Sequence, residues 1–202
     1  MKPYSESCEQ NKAAILQVIQ PLLAQSNSLL EIGSGTGQHA VYFSHVMPHI
    51  QWQTSERSDR MNQGIQMWLD EYCVDGKLDN LQAPIILDVQ QSTWPEIKVD
   101  ALFSANTLHI MSWDDVEKFF SQAPALLNDN GLLIVYGPFN YQGQYTSESN
   151  RQFDVWLKNH DENSAIRDFS AVNTLAEAQG LKLLQDYPMP ANNRILCWKK
   201  KG

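Results

Sequence analysis

Positive charge is scarce in this 202-residue chain, where 15 lysines and arginines stand against 23 acids for a formal net charge of −8. A nucleic-acid backbone calls for a basic face or stripe, so the balance disfavours that partner while leaving room for a small ligand in a local pocket. Cysteine is scarce as well. Cys8, Cys73 and Cys197 are widely spaced, odd in number and form no CxxC pair. That speaks against a disulfide scaffold or a structural zinc site and fits a reducing cytoplasm. No run approaches the roughly 18 apolar residues of a membrane-spanning helix. The start of the chain has no apolar core after Lys2, so it does not read as a secretion signal. Lys199, Lys200 and Lys201 read as a solvated tail, and His45, His49 and His160 suggest no metal site.

The hydrophobic share, 43%, is enough for a sizeable core, and the length suits one domain over 1–202. An N-terminal helix is expected over 9–25, with Ala14, Ile15, Val18, Ile19 and Leu22 at helical spacing and Pro21 blurring its end. The apolar segment Ser28 to Ile32 then runs into Gly33-Ser34-Gly35-Thr36-Gly37, followed by a helix over Gln38 to Val46. Strands are expected near Ile50 to Ser55, at Ile85 to Leu87 within Leu81 to Asp88, and over Val99 to Ser104 and Leu132 to Tyr136. Helices are expected from about Arg60 to Tyr72 and, capped by Ser112 with Asp115 three places on, towards Leu127. Asn128 to Gly131 is a turn signal. A helix over Asp168 to Gln179 and strands over Leu181 to Asp186 and Arg194 to Trp198 close the chain, the two strands as an antiparallel hairpin. This alternation describes an α/β fold, a Rossmann-like, mostly parallel seven-stranded sheet with helices on both faces. The polar stretch 139–165 breaks the rhythm beyond a central strand, where a long ordered insertion serves as a lid; a short helix is expected at Phe153 to Leu157.

Three glycines in five residues after a strand let backbone approach a ligand closely, and the following helix offers free N–H groups. A ligand-free tight turn is the plain alternative. A dinucleotide site would space its glycines G-x-G-x-x-G, whereas here Gly37 comes one residue early and Gln38 stands where a small residue belongs. A P-loop would need a following Gly-Lys-Ser/Thr, which is missing. An adenosine without phosphates fits better. Glu56, ending the next strand, can accept from both ribose hydroxyls, and Asp88, beside Val89, can accept from an adenine amino group.

With these residues in place the chain resembles the first motif of the class I S-adenosylmethionine-dependent methyltransferases. A narrower resemblance, to the DUF938 family with its human relative methyltransferase-like 26, rests on segments that include Glu9 to Lys12, Gly33 to His39, Trp52 to Glu56, Asn106 to Ile110, Tyr136 to Phe139, Ile166 to Asp168 and Met189 to Asn193. Together they span nearly the whole chain. Thr54 and Glu56 depart from the family pattern, which has proline and aspartate there; the second change keeps the carboxylate. The resemblance implies S-adenosyl-L-methionine as cofactor, S-adenosyl-L-homocysteine as product, and no metal. It also implies that Gly33, Ser34, Gly35 and Gly37 hold the methionine part, with Glu31 near its ammonium and Asn11 closing over that end. His39 reads as packing beside the glycine loop, with contact to the cofactor as the alternative.

Methyl transfer needs a nucleophile held in line and, for a hydroxyl or ammonium, a proton acceptor. Asn106, a candidate for catalysis and for cofactor binding, and His109 follow a strand at the sheet's carboxyl edge. His109 is the candidate base and substrate contact, since histidine titrates near neutrality; a loop-shaping role is the alternative. Tyr136 is a third catalytic candidate. Tyr141, Asn192 and Asn193 are candidate substrate residues. Arg151, Arg167 and Arg194 are candidates for an acidic group on the acceptor, against the alternative of structural ion pairs. No Asn-Pro-Pro-Tyr motif occurs, and a small molecule is the expected acceptor. The competing classes are a non-catalytic binding or regulatory module and, further off, a dinucleotide-dependent oxidoreductase.

Overall fold

A computed structural model describes residues 2–72, 79–91 and 93–202, so Cys73 lies outside the described residues. Helix α1 (Glu6–Leu22) starts where the Ser5 hydroxyl accepts the Cys8 N–H, with Glu6 and Glu9 in its first turn. The cap moves the start ahead of the expected 9–25, and Pro21 sits inside the last turn. Ile15 and Ile19 on its inner face are fully buried.

Strands β1 (Ser28–Ile32), β2 (Gln51–Glu56), β3 (Leu81–Ile86) and β4 (Val99–Ala105) alternate with α2 (Gln38–Val46) and α3 (Asp59–Tyr72). Helix α4 (Trp113–Leu126) begins as expected, with the Ser112 hydroxyl accepting the Asp115 N–H at 3.1 Å. Strand β5 (Leu127–Asn140), helix α5 (Glu148–His160), the two-residue β6 (Arg167–Asp168), α6 (Phe169–Ala178), β7 (Leu181–Pro188) and β8 (Asn193–Lys200) follow. The sheet order is β3-β2-β1-β4-β5-β8-β7, with β6 on the side of β5. The first five strands run parallel, and β8 pairs antiparallel with both β5 and β7. The α/β sheet with its closing antiparallel hairpin is as the sequence predicts.

Two apolar layers hold the sheet. Ile15, Phe43, Ile65 and Trp52 pack on the face covered by α1, α2 and α3. Phe119, Phe120, Val172 and Trp198 pack on the face covered by α4 and α6. The central strands β1 and β4 are buried on both sides, which is why they read as apolar runs, whereas the edge strand β3 is partly exposed.

Two expectations change. The Asn128–Gly131 turn is a bulge within β5: Leu127 pairs with Val99 and Leu132 with Ala101, so the intervening residues loop out, with Asn130 at φ +64°. The polar insertion carries a 13-residue helix rather than a short one. Its start is fixed by the Ser147 hydroxyl, which accepts the Asn150 N–H at 3.1 Å. Buried Asp154 ties it down, accepting from Ile166 N–H at 2.7 Å and from the Tyr145 hydroxyl at 2.7 Å.

Candidate cofactor and active site

A cavity of about 870 Å³ opens where the carboxyl ends of β1, β2 and β4 meet the loop after β3. This is the crevice in which open α/β sheets bind ligands. Its floor is the glycine loop. Gly33, Gly35 and Gly37 all have positive φ, at +74°, +59° and +87°. A Cβ on Gly33 would stand 2.6 Å from Thr107 Cγ2, and one on Gly37 would stand 3.2 Å from the Ile65 backbone. A Cβ on Gly35 would meet nothing within 4 Å, because that residue faces the open cavity. The loop is tied to β2: Ser34 N–H donates to the Ser55 carbonyl at 2.9 Å, and the Ser34 hydroxyl accepts the Ser55 N–H at 3.2 Å.

Glu56 ends β2 beside that loop. One carboxylate oxygen accepts the Gly35 N–H at 2.8 Å and the other accepts the Arg57 N–H at 3.0 Å. Burial raises its pKa, and those two backbone donors oppose the rise. Asp88 and Val89 line the next wall, and Met61 and Ile110, both exposed apolar side chains, also line the cavity. Asn106 lines it with φ at +58° and its N–H donating to the Tyr136 carbonyl at 2.8 Å. Among the lining residues, Glu56, Asp88, Asp114, Asp115 and Asp161 are acidic and Arg57 is the basic one.

The family described as "Protein of unknown function (DUF938)" has a model that matches residues 2–200. The chain belongs to the DUF938 family. Its fold is also that of several solved methyltransferase structures. The S-adenosylmethionine-dependent methyltransferase SibL, in its apo form, superposes with a TM-score of 0.80 at 14% identity over 97% of this chain and 56% of its own. Mitomycin 7-O-methyltransferase MmcR gives 0.76 at 20% identity, over 88% and 50%. An O-methyltransferase family 2 protein from Planctomyces limnophilus, in complex with apigenin, gives 0.74 at 14%, over 86% and 50%. This DUF938 chain thus spans 50% to 56% of the length of these structures.

Of the residues singled out from sequence, Gly33, Ser34, Gly35, His39, Glu56, Asp88, Val89 and Asn106 all line the cavity. Gly37 stands behind it as the left-handed residue opening α2. Asn11 meets the pocket through His39, whose Nε2 is 2.7 Å from Asn11 Oδ1. His39 stacks on Phe43, and burial lowers its pKa to about 4. Glu31 does not reach the cavity. Its carboxylate turns into the core and accepts the Trp52 indole N–H at 3.1 Å, and burial raises its pKa to about 7.

The acceptor-side expectations fare differently. His109 is buried and does not line the cavity; its ring packs edge-on against Phe153, and its Nδ1 lies 3.6 Å from the point a Cβ on Gly137 would take. Burial, then the Arg167 charge, lowers its pKa to about 4. Tyr136 is buried at the base of α1, where desolvation raises its pKa against the opposing Asn11 and Asn193 amides.

Tyr141 is occupied elsewhere: its hydroxyl donates to Asp186 at 2.6 Å and its ring stacks on Phe169. The three arginines are engaged within the protein. Arg151 forks onto Glu148, Arg194 pairs with Asp186 at 2.6 Å, and Arg167 donates to backbone carbonyls. None lines the cavity; Arg151 and Arg194 sit in ion pairs, whereas Arg167 is held by carbonyls alone. Asn192 and Asn193 sit at a tight connection, where the Asn192 carbonyl accepts from Asn150 at 3.2 Å.

Sequence reasoning missed Ser5, Ser7 and Cys8, which α1 brings to the cavity rim, and Asn163 and Ser164 from beyond α5. The one signal for the first group was Ser5 as a helix cap. No helix among the described residues is long and apolar enough to cross a membrane, and no group of three potential metal ligands occurs among them.

Proposed function

We propose that the cavity holds S-adenosyl-L-methionine and that the chain transfers its methyl group to a small-molecule acceptor. The observation that carries this reading is the open glycine floor at Gly35, set against Glu56 at the end of the neighbouring strand. The residues present fit that cofactor. The loop Gly33 to Gly37 holds the methionine part, with Ser34, His39 and Asn11 around it. Glu56 takes the ribose hydroxyls, Asp88 the adenine amino group, and Val89, Met61 and Ile110 form the apolar walls of the adenine slot. Glu31 supports the loop from beneath, its carbonyl accepting the Ser55 hydroxyl at 2.7 Å.

Charge supports this ligand over a dinucleotide. Five carboxylates against one guanidinium line the cavity among the described residues. Such a wall repels a pyrophosphate and favours a sulfonium cation. The same charges, with the arginines engaged elsewhere, favour a neutral or cationic acceptor over the acidic one expected from the arginine positions.

The bound cofactor would supply an electrophilic methyl group. The chain supplies placement: Asn106 at the carboxyl edge of β4 faces the acceptor, and the insertion 139–165 lies beyond it as a lid. Tyr136, kept protonated by burial, serves as a hydrogen-bond donor rather than a base. His109, neutral at pH 7 and packed behind the cavity wall against Phe153, shapes the loop after β4 rather than touching the acceptor.

Because His109 lies outside the cavity wall, a non-catalytic binding module is the second reading. Incubation with S-adenosylmethionine and a panel of small hydroxyl, amine and thiol compounds separates the two. Acceptor-dependent formation of S-adenosylhomocysteine supports the enzyme. Tight binding without turnover across the panel supports the module.

A further inference from the structure

Two of the cavity's walls come from segments far apart in sequence: the loop after β4, which contributes Ile110 and Met111, and the segment after α5, which contributes Asn163 and Ser164. Arg167 is buried at the seam between them. Its Nε donates to the Leu108 carbonyl at 3.0 Å, and its Nη2 donates to the carbonyls of Met111 and, at 2.8 Å, Asn163. It makes no ion pair among the described residues, and all three acceptors belong to the two wall segments. Two further bonds cross the seam: Ala165 N–H to the His109 carbonyl at 3.0 Å, and the Ser164 hydroxyl to the Ile110 carbonyl at 3.1 Å.

The clasp is itself anchored. Strand β6 sets Arg167 and Asp168 in register with Phe139 and Asn140 of β5. Asp154 on α5 accepts the Ile166 N–H. On the opposite side, the Gln90 side chain donates to Asp115 at 3.1 Å, tying the Asp88 wall to the start of α4. The planar guanidinium suits a task in which several carbonyls must be held at once; an ammonium on a flexible stem lacks that fork.

We infer that Arg167 is a positioning residue that sets the width of the slot for the adenine ring by clasping the loop after β4 to the segment after α5. The inference rests on the proposed cofactor reading. It takes Arg167 out of contact with substrate and gives it a role in cofactor affinity.

The test measures binding of S-adenosylhomocysteine and of 5′-methylthioadenosine, which lacks the amino-acid part, by calorimetry. Wild type, Arg167→Met, Arg167→Lys and Ser164→Ala are compared, with near-UV circular dichroism confirming the fold. The expected result is equal weakening of both ligands, about tenfold for Arg167→Met and about threefold for Ser164→Ala, with Arg167→Lys between them. A general loss of stability would not produce equal weakening of both ligands in variants that remain folded. If Arg167→Met does not fold, the other two variants decide by the same criterion. Folded variants that bind both ligands as wild type does, or that weaken S-adenosylhomocysteine alone, overturn the inference. Wild-type protein that binds neither ligand overturns the cofactor reading itself, and the inference with it.

Discussion

Replacing Gly33 with alanine tests the glycine floor in a way that separates backbone strain from steric contact. At φ +74° an alanine is strained by about 1–2 kcal/mol. Its Cβ would also stand 2.6 Å from Thr107 Cγ2. Thr107 has little freedom to retreat, because its hydroxyl is 2.6 Å from the Ser104 hydroxyl, which in turn donates to the Ile32 carbonyl at 2.8 Å. Overpacking of this kind costs about 1–3 kcal/mol. The total, roughly 2–5 kcal/mol, is a large part of the stability of an ordinary domain. Thr107→Ser removes the opposing methyl while keeping the hydroxyl, at a cost of about 1 kcal/mol. Urea unfolding of the two single variants and the double variant therefore forms a cycle. The double variant should recover the steric part, a coupling of about 1–3 kcal/mol, and retain the dihedral part. Strict additivity, or a Gly33→Ala protein as stable as wild type, would refute the reasoning.

Other outcomes follow from the same geometry. Glu56→Gln should weaken S-adenosylhomocysteine by at least about tenfold in calorimetry, because the amide turns one of two ribose acceptors into a donor. Glu31 has a raised pKa of about 7 in the folded protein, so its contribution to stability is full below its ordinary value near 4.5 and is lost as pH rises through 7. Urea midpoints of Glu31→Gln should accordingly lack that decline, with a gain of about 3 kcal/mol at pH 8 relative to wild type. His109 has the opposite sign: its pKa is lowered to about 4, so its contribution is present above 6.5 and is lost as pH falls through 4. His109→Asn should flatten the acid limb of the same profile. Cys8 lines the cavity while Cys197 is buried, so S-adenosylhomocysteine should slow alkylation of the Cys8 peptide measured by mass spectrometry; an unchanged rate would count against the ligand's placement.

What could be read from the sequence was whatever sits at a strand end. Gly33 to Gly37 and Asp88 lie just beyond strands and Glu56 ends one, and parallel pairing brings those ends to one edge, so their meeting was legible. Residues whose place depends on how a loop folds back were not. His109 lies three residues beyond Asn106, but the turn between them sends one into the cavity and the other behind it. Arg167 and Tyr141 carry polar groups in a segment that faces a ligand edge, yet distant partners claim both. The reach of α1 to the cavity through Cys8 depends on helix packing, which periodicity alone does not orient.

The most direct test of the account is titration calorimetry of the ligand-stripped protein with S-adenosylmethionine, S-adenosylhomocysteine and NAD. The account predicts micromolar binding of the first two and none of NAD. Folded protein that ignores both methionine derivatives, or prefers NAD, would contradict it.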